Sequence, residues 1–228
     1  MRSLLSLLAG TLLLMPKHLE AQSTAVKDVD LDHVILGARS LTHAMDTFAR
    51  LTGVTPKRGG QHPGRGTENA LVSLGEGHYL EILAPINPPA DSSSQPTELA
   101  PMGWALHTKT LDDLIAQVRA AGFELNGPTP GSRLTPDSAL LKWRTAAVIG
   151  PGLELAPFFI EWSASTPHPS TTSPGGCKLT ALTMGNPDPA RLREFFRAVG
   201  YTVEVQTNPS ARLRVTLDCP RGRVTFPT

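Results

Sequence analysis

The same succession of predicted elements, a strand, a helix and then further strands, occurs three times after residue 30, and this repeat limits the folds that the chain can adopt. The first occurrence opens with a strand at residues 31–36. A helix follows at about 40–51, where apolar residues fall at helical spacing and Gly53 occupies the position typical of a helix C-cap. Extended segments are predicted near residue 54 and at residues 69–74 and 79–83.

The second and third occurrences follow the same order. The second has a strand at 104–108, a helix that ends at Gly122, and strands at 139–148 and 157–162. The third has a strand at 179–184, a helix at 188–199, and strands at 202–206, 212–217 and 223–226. Each is interpreted as a β-α-β-β-β unit, and recurrence of such a unit predicts that copies pair to bury a shared face.

Two stretches rich in Pro, Ser, Thr and Gly separate the three units. Such segments bury too little apolar surface to pack on their own, so they are interpreted as linkers. The predicted organisation is a first module at 31–87, a linker at 88–101, a second module at 102–163, a linker at 164–176 and a divergent third module at 177–228.

The N-terminus has the composition of a secretory signal peptide. Arg2 supplies a positive charge, residues 4–15 are almost wholly apolar, and Ala21 offers a small residue for cleavage. The apolar run is shorter than the roughly 20 residues that span a bilayer. We therefore expect residues 1–21 to be removed and the mature protein to be secreted or periplasmic; the alternative is an amphipathic or buried N-terminal helix.

Charge and cysteine content exclude some classes of partner. The 21 Lys and Arg nearly balance the 20 Asp and Glu, and without a basic stripe a nucleic-acid partner is not expected. No segment after residue 21 is apolar enough to cross a membrane, so no membrane association is expected after cleavage. Cys177 and Cys219 are interpreted either as a disulfide, which an exported protein would keep, or as two buried thiols.

Several short motifs resemble one superfamily. Leu31-Asp32-His33-Val34 and Tyr79-Leu80-Glu81-Ile82 are similar to the opening and close of its first module, and Pro157-Phe158-Phe159-Ile160-Glu161-Trp162 to the close of its second. The run from Gly59 to Leu71 is similar to a signature of one bacterial subfamily. The chain thus resembles the glyoxalase-like branch of the vicinal oxygen chelate superfamily. The resemblance implies an α+β fold of βαβββ modules, in which two paired modules form a cleft beside the divergent third.

The resemblance also implies a metal site. Metal-using members take one ligand from the first strand and one from the last strand of each module, and such ligands suit Zn, Ni, Fe or Mn. His33, Glu81 and Glu161 occupy three of these places by resemblance, whereas Gly103 occupies the fourth and has no side chain to donate. His107, four residues later, is the nearest histidine. A site with three protein ligands and water is the alternative to the full quartet.

These residues also have simpler interpretations. His33 could be a half-buried polar residue whose ring nitrogens bind backbone groups. Strand alternation lets Glu81 and Glu161 either face the cleft or point to solvent. In the cleft interpretation, whichever glutamate does not hold the metal acts as a general base, and Glu161 is the catalytic candidate.

Four further residues are candidates for substrate binding. His62 lies in the Gly-rich run, and Asn69 offers an amide on the strand that follows; the alternative is a flexible loop with a locally satisfied amide. Arg133 and Trp143 could bind an anionic, planar substrate through charge and stacking. The alternative places them at the rim and in the core.

The sequence therefore predicts an exported protein that acts on a small molecule in a cleft between modules. Metal-dependent lyase, isomerase or dioxygenase chemistry fits this prediction. The alternative is a protein of the same superfamily that binds or sequesters a small molecule without chemistry. An odd number of modules leaves one unpaired, which makes a homodimer possible.

Overall fold

The computed structural model describes residues 28–62, 64–88 and 99–227. The predicted signal peptide and most of the first linker lie outside the described residues. Within the described part, no helix has the length and apolar character needed to cross a membrane.

The first module has five elements. They are β1 (Asp30–Gly37), α1 (Leu41–Thr52), β2 (Lys57–His62), β3 (Thr67–Gly75) and β4 (His78–Pro85). Helix α1 begins where the Ser40 hydroxyl accepts a hydrogen bond from the backbone N–H of His43. It ends at Gly53, which adopts φ of 80° and donates its N–H to the carbonyl of Ala49. This left-handed conformation is available to glycine at little cost.

The second module repeats the order. It contains β5 (Ala100–His107), α2 (Leu111–Ala120), β6 (Glu124–Leu134), β7 (Leu140–Ile149) and β8 (Phe158–Trp162). Strand β6 was not predicted as a separate element, because its sequence is rich in Gly and Pro. It lies at the edge of the sheet and pairs with β7 alone, a position where proline is tolerated.

The two modules form one sheet of eight strands in the order β2-β3-β4-β1-β5-β8-β7-β6. The first strands of the modules, β1 and β5, pair antiparallel at its centre. Strand β5 and the start of α2 repeat β1 and the start of α1 with a constant shift of 70 residues (30 to 100, 41 to 111). The α+β fold class with two paired modules is confirmed.

The third module has the same element order but a different strand arrangement. After a short helix α3 (Pro169–Thr172) come β9 (Lys178–Asn186), α4 (Pro189–Val199), β10 (Glu204–Thr207), β11 (Arg212–Cys219) and β12 (Gly222–Pro227). Its sheet runs β10-β9-β11-β12, so the first strand pairs with the second. In module one the first strand instead pairs with the last, which makes the third module divergent in topology as well as in sequence.

The third module packs against the helix-bearing face of the eight-stranded sheet. The fully buried ring of Trp104, on β5, lies 5.9 Å from the rings of both Phe196 and Tyr201. The ring of Phe48 on α1 stacks on that of Phe226 at 6.0 Å. Cys177 and Cys219 form a disulfide that joins the start of β9 to the end of β11. The opposite face of the large sheet is therefore left to form the cleft.

Candidate functional site

The free face of the sheet lines a cavity of about 180 Å³. Side chains alternate between the two faces of each strand, so every second residue of β1, β4 and β8 enters the cavity. The lining residues from these strands are His33, Ile35, Tyr79, Glu81, Leu83, Phe158, Ile160 and Trp162. Their neighbours in sequence, such as Val34 and Leu80, are fully buried in the core on the other face.

A local irregularity of β1 brings Asp32 next to His33. Pairing between β1 and β5 shifts register between Leu31 and His33, which leaves Asp32 unpaired in a β-bulge. The Oδ1 atom of Asp32 lies 2.6 Å from Nδ1 of His33. Regular alternation would have pointed the two side chains to opposite faces.

Asp32 is held by three side chains. In addition to His33, Trp162 Nε1 donates a hydrogen bond to Oδ2 at 2.9 Å, and His168 Nε2 lies 3.1 Å from the same oxygen. Burial alone would raise the pKa of Asp32, but hydrogen bonds from His168 and His33 outweigh it and hold the pKa well below its usual range. Asp32 is therefore an ionised carboxylate, although only 1% of its surface is exposed.

Neither Asp32 nor His168 was predicted as a site residue. The position of Asp32 directly before His33, in a motif already singled out, was the available signal. His168 lies in the segment interpreted as the second linker. That segment instead packs on module one, where the carbonyl of Pro174 accepts a hydrogen bond from the backbone N–H of Ser73 at 2.8 Å.

The ionised Asp32 determines the tautomer of His33. A carboxylate can only accept hydrogen bonds, so in the neutral imidazole of His33 the proton is on Nδ1 and Nε2 is the nitrogen without a proton. That Nε2 faces the cavity and lies 3.7 Å from Oε2 of Glu81. Asp32 and His33 therefore form an oriented pair with one basic nitrogen presented to the cleft.

Glu81 lies at the centre of the polar part of the cavity. Its Oε1 accepts a hydrogen bond from Nδ2 of Asn69 at 2.6 Å and lies 3.8 Å from Nε2 of His62. Burial lowers the pKa of His62, although the negative charge of Glu81 opposes this shift. The structure thus brings together His33, Glu81, His62 and Asn69, four residues that the sequence analysis singled out.

Tyr79 covers one side of His33. Its ring stacks on the imidazole with centroids 4.5 Å apart. Burial raises the pKa of Tyr79, and the negative charges of Asp32 and Glu81 act in the same direction. The phenol therefore stays protonated and can donate a hydrogen bond.

Arg133 and Trp143 also line the cavity, and they come from the outer strands of module two. Nη1 of Arg133 donates a hydrogen bond to the carbonyl of Gly59, which connects β6 to β2. The indole of Trp143 meets His62 edge-on at 6.2 Å and Trp162 at 5.4 Å. The two strands at opposite ends of the sheet are thus brought together to close the cleft.

Glu161 does not lie in this cavity, which corrects the expectation that it shares a site with His33 and Glu81. Its neighbours on β8, Phe158, Ile160 and Trp162, take the cavity-facing positions, so Glu161 points to the helix side. There it accepts hydrogen bonds from Arg144 Nε at 2.8 Å and from the backbone N–H of Leu111 at 3.2 Å. Its position at the start of α2 indicates a structural role.

His107 is also outside the cavity. It lies at the end of β5, where it lines a separate groove of about 650 Å³ together with Lys109 and His168. Burial lowers the pKa of His107. His107, the nearest histidine to the empty fourth ligand place, is not among the residues that line the cavity, since it pairs with Asp30 at the end of β5.

The donor set does not fit the four-ligand metal centre. The 70-residue shift places Gly103 at the position of His33. Ile35 pairs with Glu81 and its equivalent Ala105 pairs with Phe158, so Phe158 stands where Glu81 stands in module one. Neither residue offers a donor atom. Among the described residues, no three His, Cys, Asp or Glu side chains are grouped so as to hold a metal ion.

Comparison with known families identifies the chain. The sequence profile of the family described as glyoxalase-like domain matches residues 31–200, well over half of the 228 residues. The chain belongs to this family. The glyoxalase-like domain is part of the vicinal oxygen chelate superfamily, so the resemblance seen in the sequence is confirmed. A search of curated proteins found no match.

One solved structure supports the same fold. The crystal structure of a hypothetical protein from Staphylococcus aureus matches with a TM-score of 0.62 at 16% identity, over 87% of this chain and 85% of that chain. Two others match with lower scores. A mutant 4-hydroxymandelate synthase from Streptomyces coelicolor has a TM-score of 0.48 at 15% identity, over 88% of this chain and 62% of that one. Methylmalonyl-CoA epimerase from Mycobacterium tuberculosis has a TM-score of 0.42 at 17% identity, over 61% of this chain and 89% of that one. The match to the Staphylococcus aureus protein, at 16% identity, supports the fold and not a reaction.

Proposed function

We propose that this glyoxalase-like protein is an exported enzyme that moves a proton on a small organic molecule bound in the 180 Å³ cavity. The observation that carries the proposal is the oriented pair of Asp32 and His33, with Nε2 of His33 facing Glu81 across 3.7 Å. A buried carboxylate that fixes the tautomer of a histidine is a recurrent arrangement in general acid–base catalysis.

The chemistry follows from these positions. A C–H bond next to a substrate carbonyl breaks, its electron pair stays on the substrate as an enolate, and His33 Nε2 takes the proton. Asp32 stabilises the imidazolium that forms. Asn69 Nδ2 in the cavity wall has a second N–H besides the one that Glu81 accepts, and a developing enolate oxygen is stabilised by such a donor. Glu81, whose Oε2 lies 3.7 Å from Nε2 of His33, carries the proton to a different atom of the substrate, which completes an isomerisation.

Part of the cavity wall is apolar. Phe158, Ile160, Ile35 and Leu83 surround the polar cluster. A mostly apolar cavity with a few convergent polar groups is typical of small-molecule sites. These residues exclude water, which strengthens the electrostatic interactions within the cavity.

The proposed reaction uses groups of the first module and does not depend on a metal held by both modules. Gly103 and Phe158 occupy the positions where the second module would supply ligands. We therefore propose acid–base catalysis by His33 and Glu81 in place of the metal-dependent chemistry that the resemblance implies.

Two features support export. Residues 1–21 have the composition of a signal peptide, and the disulfide between Cys177 and Cys219 is the kind of bond that persists outside the cytoplasm. A homodimer stays a prediction from the odd number of modules.

Solvent exchange tests the proposed reaction directly. Small carbonyl and hydroxycarbonyl compounds are incubated with the protein in deuterated water, and loss of their C–H signals is followed by NMR. We expect exchange with the wild type, and a rate at least about 100-fold lower with His33→Gln or Glu81→Gln. His107→Gln, a histidine outside the cavity, is the matched control and should exchange at the wild-type rate.

The alternative is a protein that binds a small molecule without chemistry. The absence of donor atoms at Gly103 and Phe158 favours it, because a cleft that has lost metal ligands can still bind. Compounds that bind the wild type in this experiment but never exchange deuterium would establish this alternative. Equal loss of exchange in His107→Gln would also contradict the proposed site.

A further inference from the structure

Arg133 is a buried cation without an ionic partner. Only 3% of its surface is exposed, and among the described residues no carboxylate oxygen lies within 4.0 Å of its guanidinium. A guanidinium has five N–H donors, and in the described part of the chain one protein acceptor is used, the carbonyl of Gly59. A buried charge is costly when it is unpaired, so an anion in the cavity would complete the site.

The carboxylate of Glu81 does not fill this role. It lies beyond 4.0 Å from Arg133, and its oxygens already face Asn69 Nδ2 at 2.6 Å and the imidazoles of His33 and His62 at 3.7 and 3.8 Å. The cavity is therefore divided into a proton-transfer side around Glu81 and a cationic side around Arg133. Burial lowers the pKa of Arg133, and the negative charge of Glu81, although not in contact, opposes that shift only in part. An anion bound directly to the guanidinium would oppose it further.

The walls between these sides define the body of the ligand. Phe158, Tyr79 and Trp143 present aromatic surfaces to the cavity. Its volume of about 180 Å³ slightly exceeds the roughly 150 Å³ of an engineered cavity that holds benzene. The ligand is accordingly a molecule little larger than a benzene ring, with a planar or apolar body.

We infer that the cavity binds a small carboxylic acid, with its carboxylate on the guanidinium of Arg133 and its body between Phe158, Tyr79 and Trp143. Arginine suits this role because its planar fork matches both oxygens of a carboxylate. The inference names the substrate class of the proposed reaction and rests on that proposal for the chemistry.

Four acids and their amides provide the test. Acetate, pyruvate, lactate and benzoate, each with its matching amide, are titrated into the full chain and followed by calorimetry. We expect at least one acid to bind the wild type at least about tenfold more tightly than its amide. Arg133→Gln should weaken the binding of that acid by at least about tenfold and leave the binding of its amide unchanged.

Arg58→Gln is the matched control, because Arg58 is an exposed arginine next to Gly59 on β2 that does not line the cavity. This substitution should weaken the binding of the acid by less than about threefold, since an exposed charge contributes little to binding. If Arg133→Gln does not fold, Arg133→Lys keeps the charge without the fork and should bind the acid with intermediate affinity. The inference is overturned if no acid binds more tightly than its amide, or if Arg133→Gln binds the acids as the wild type does.

Failure of this inference can be told apart from failure of the proposed reaction. Acids that require Arg133 for binding but never exchange deuterium would contradict the reaction and leave the ligand class established. Deuterium exchange in neutral carbonyl compounds, without preference for acids, would support the reaction and contradict the inferred ligand class.

Discussion

Replacement of Asp32 by Asn perturbs the group on which the site depends. The substitution keeps the shape of the side chain and removes its charge. Asp32 accepts hydrogen bonds from His33, His168 and Trp162, and the indole N–H of Trp162 can only donate. An amide nitrogen in place of one oxygen must face one of these groups, so at least one buried bond is lost or weakened.

The size of the effect follows from these three contacts. A hydrogen bond to a charged group contributes about 1.5–3 kcal/mol, and an unsatisfied buried donor costs about 1–3 kcal/mol. Relief of the desolvation cost of the charge and changes of histidine tautomer offset part of this loss. We expect Asp32→Asn to lower the free energy of unfolding by about 2–4 kcal/mol at pH 7, or the melting temperature by roughly 5–15 °C.

The pH dependence has a definite sign. The folded-state pKa of Asp32 lies below its unfolded value of about 3.9, so its contribution to stability is complete above that value. The contribution is lost as the pH falls from about 4 towards the folded-state pKa. The difference in unfolding free energy between the wild type and Asp32→Asn should therefore be full above pH 5 and shrink below pH 4.

Urea unfolding followed by tryptophan fluorescence at pH 7 and at pH 3 measures both effects. Asp28→Asn removes a carboxylate from an exposed position four residues away and is the matched control. The reasoning is refuted if Asp32→Asn costs no more stability than Asp28→Asn at pH 7, or if its cost grows towards low pH.

Three further substitutions test the structure away from this group. A Cβ added at Gly59 would lie 2.4 Å from Oδ1 of Asn69, so Gly59→Ala should displace that amide and weaken ligand binding in a calorimetric titration. Glu161→Gln should leave deuterium exchange unchanged and cost about 1 kcal/mol of stability in urea, since the ion pair with Arg144 is partly exposed. The double variant Cys177→Ser and Cys219→Ser removes a disulfide between residues 42 positions apart in the sequence. Its free energy of unfolding should be about 2–4 kcal/mol lower in the same assay.

Much of the fold could be predicted from local sequence, and the errors have physical causes. The helices were predicted to within one or two residues wherever an apolar face and a terminal Gly coincided, as at Gly53 and Gly200. Strand β6 was missed because an edge strand tolerates the Gly and Pro residues that usually indicate loops. The topology of module three depends on pairing between distant strands, and the local pattern carries no information about pairing.

The site was predicted in part for a similar reason. Resemblance placed His33 and Glu81 correctly in the cleft, because alternation along a regular strand preserves the face. Glu161 was placed on the cavity face of β8 but lies on the helix side. The two glutamates were treated as equivalent because each lies in the last strand of its module. The register of β8 against β5 shows that Phe158 is the equivalent residue. Asp32 reaches His33 through a bulge, and His168 arrives from a segment with the composition of a linker, so neither followed from periodicity.

The chemistry proposed for the cleft is proton transfer by His33 and Glu81 of module one, without a metal held between the modules. The most direct test measures deuterium exchange into a bound carbonyl compound by protein stripped with chelator and shown by elemental analysis to be free of divalent metal. We predict that the stripped wild type exchanges at its original rate and that stripped Glu81→Gln does not. Loss of exchange on stripping, with recovery when Zn, Ni, Fe or Mn is returned, would contradict the claim.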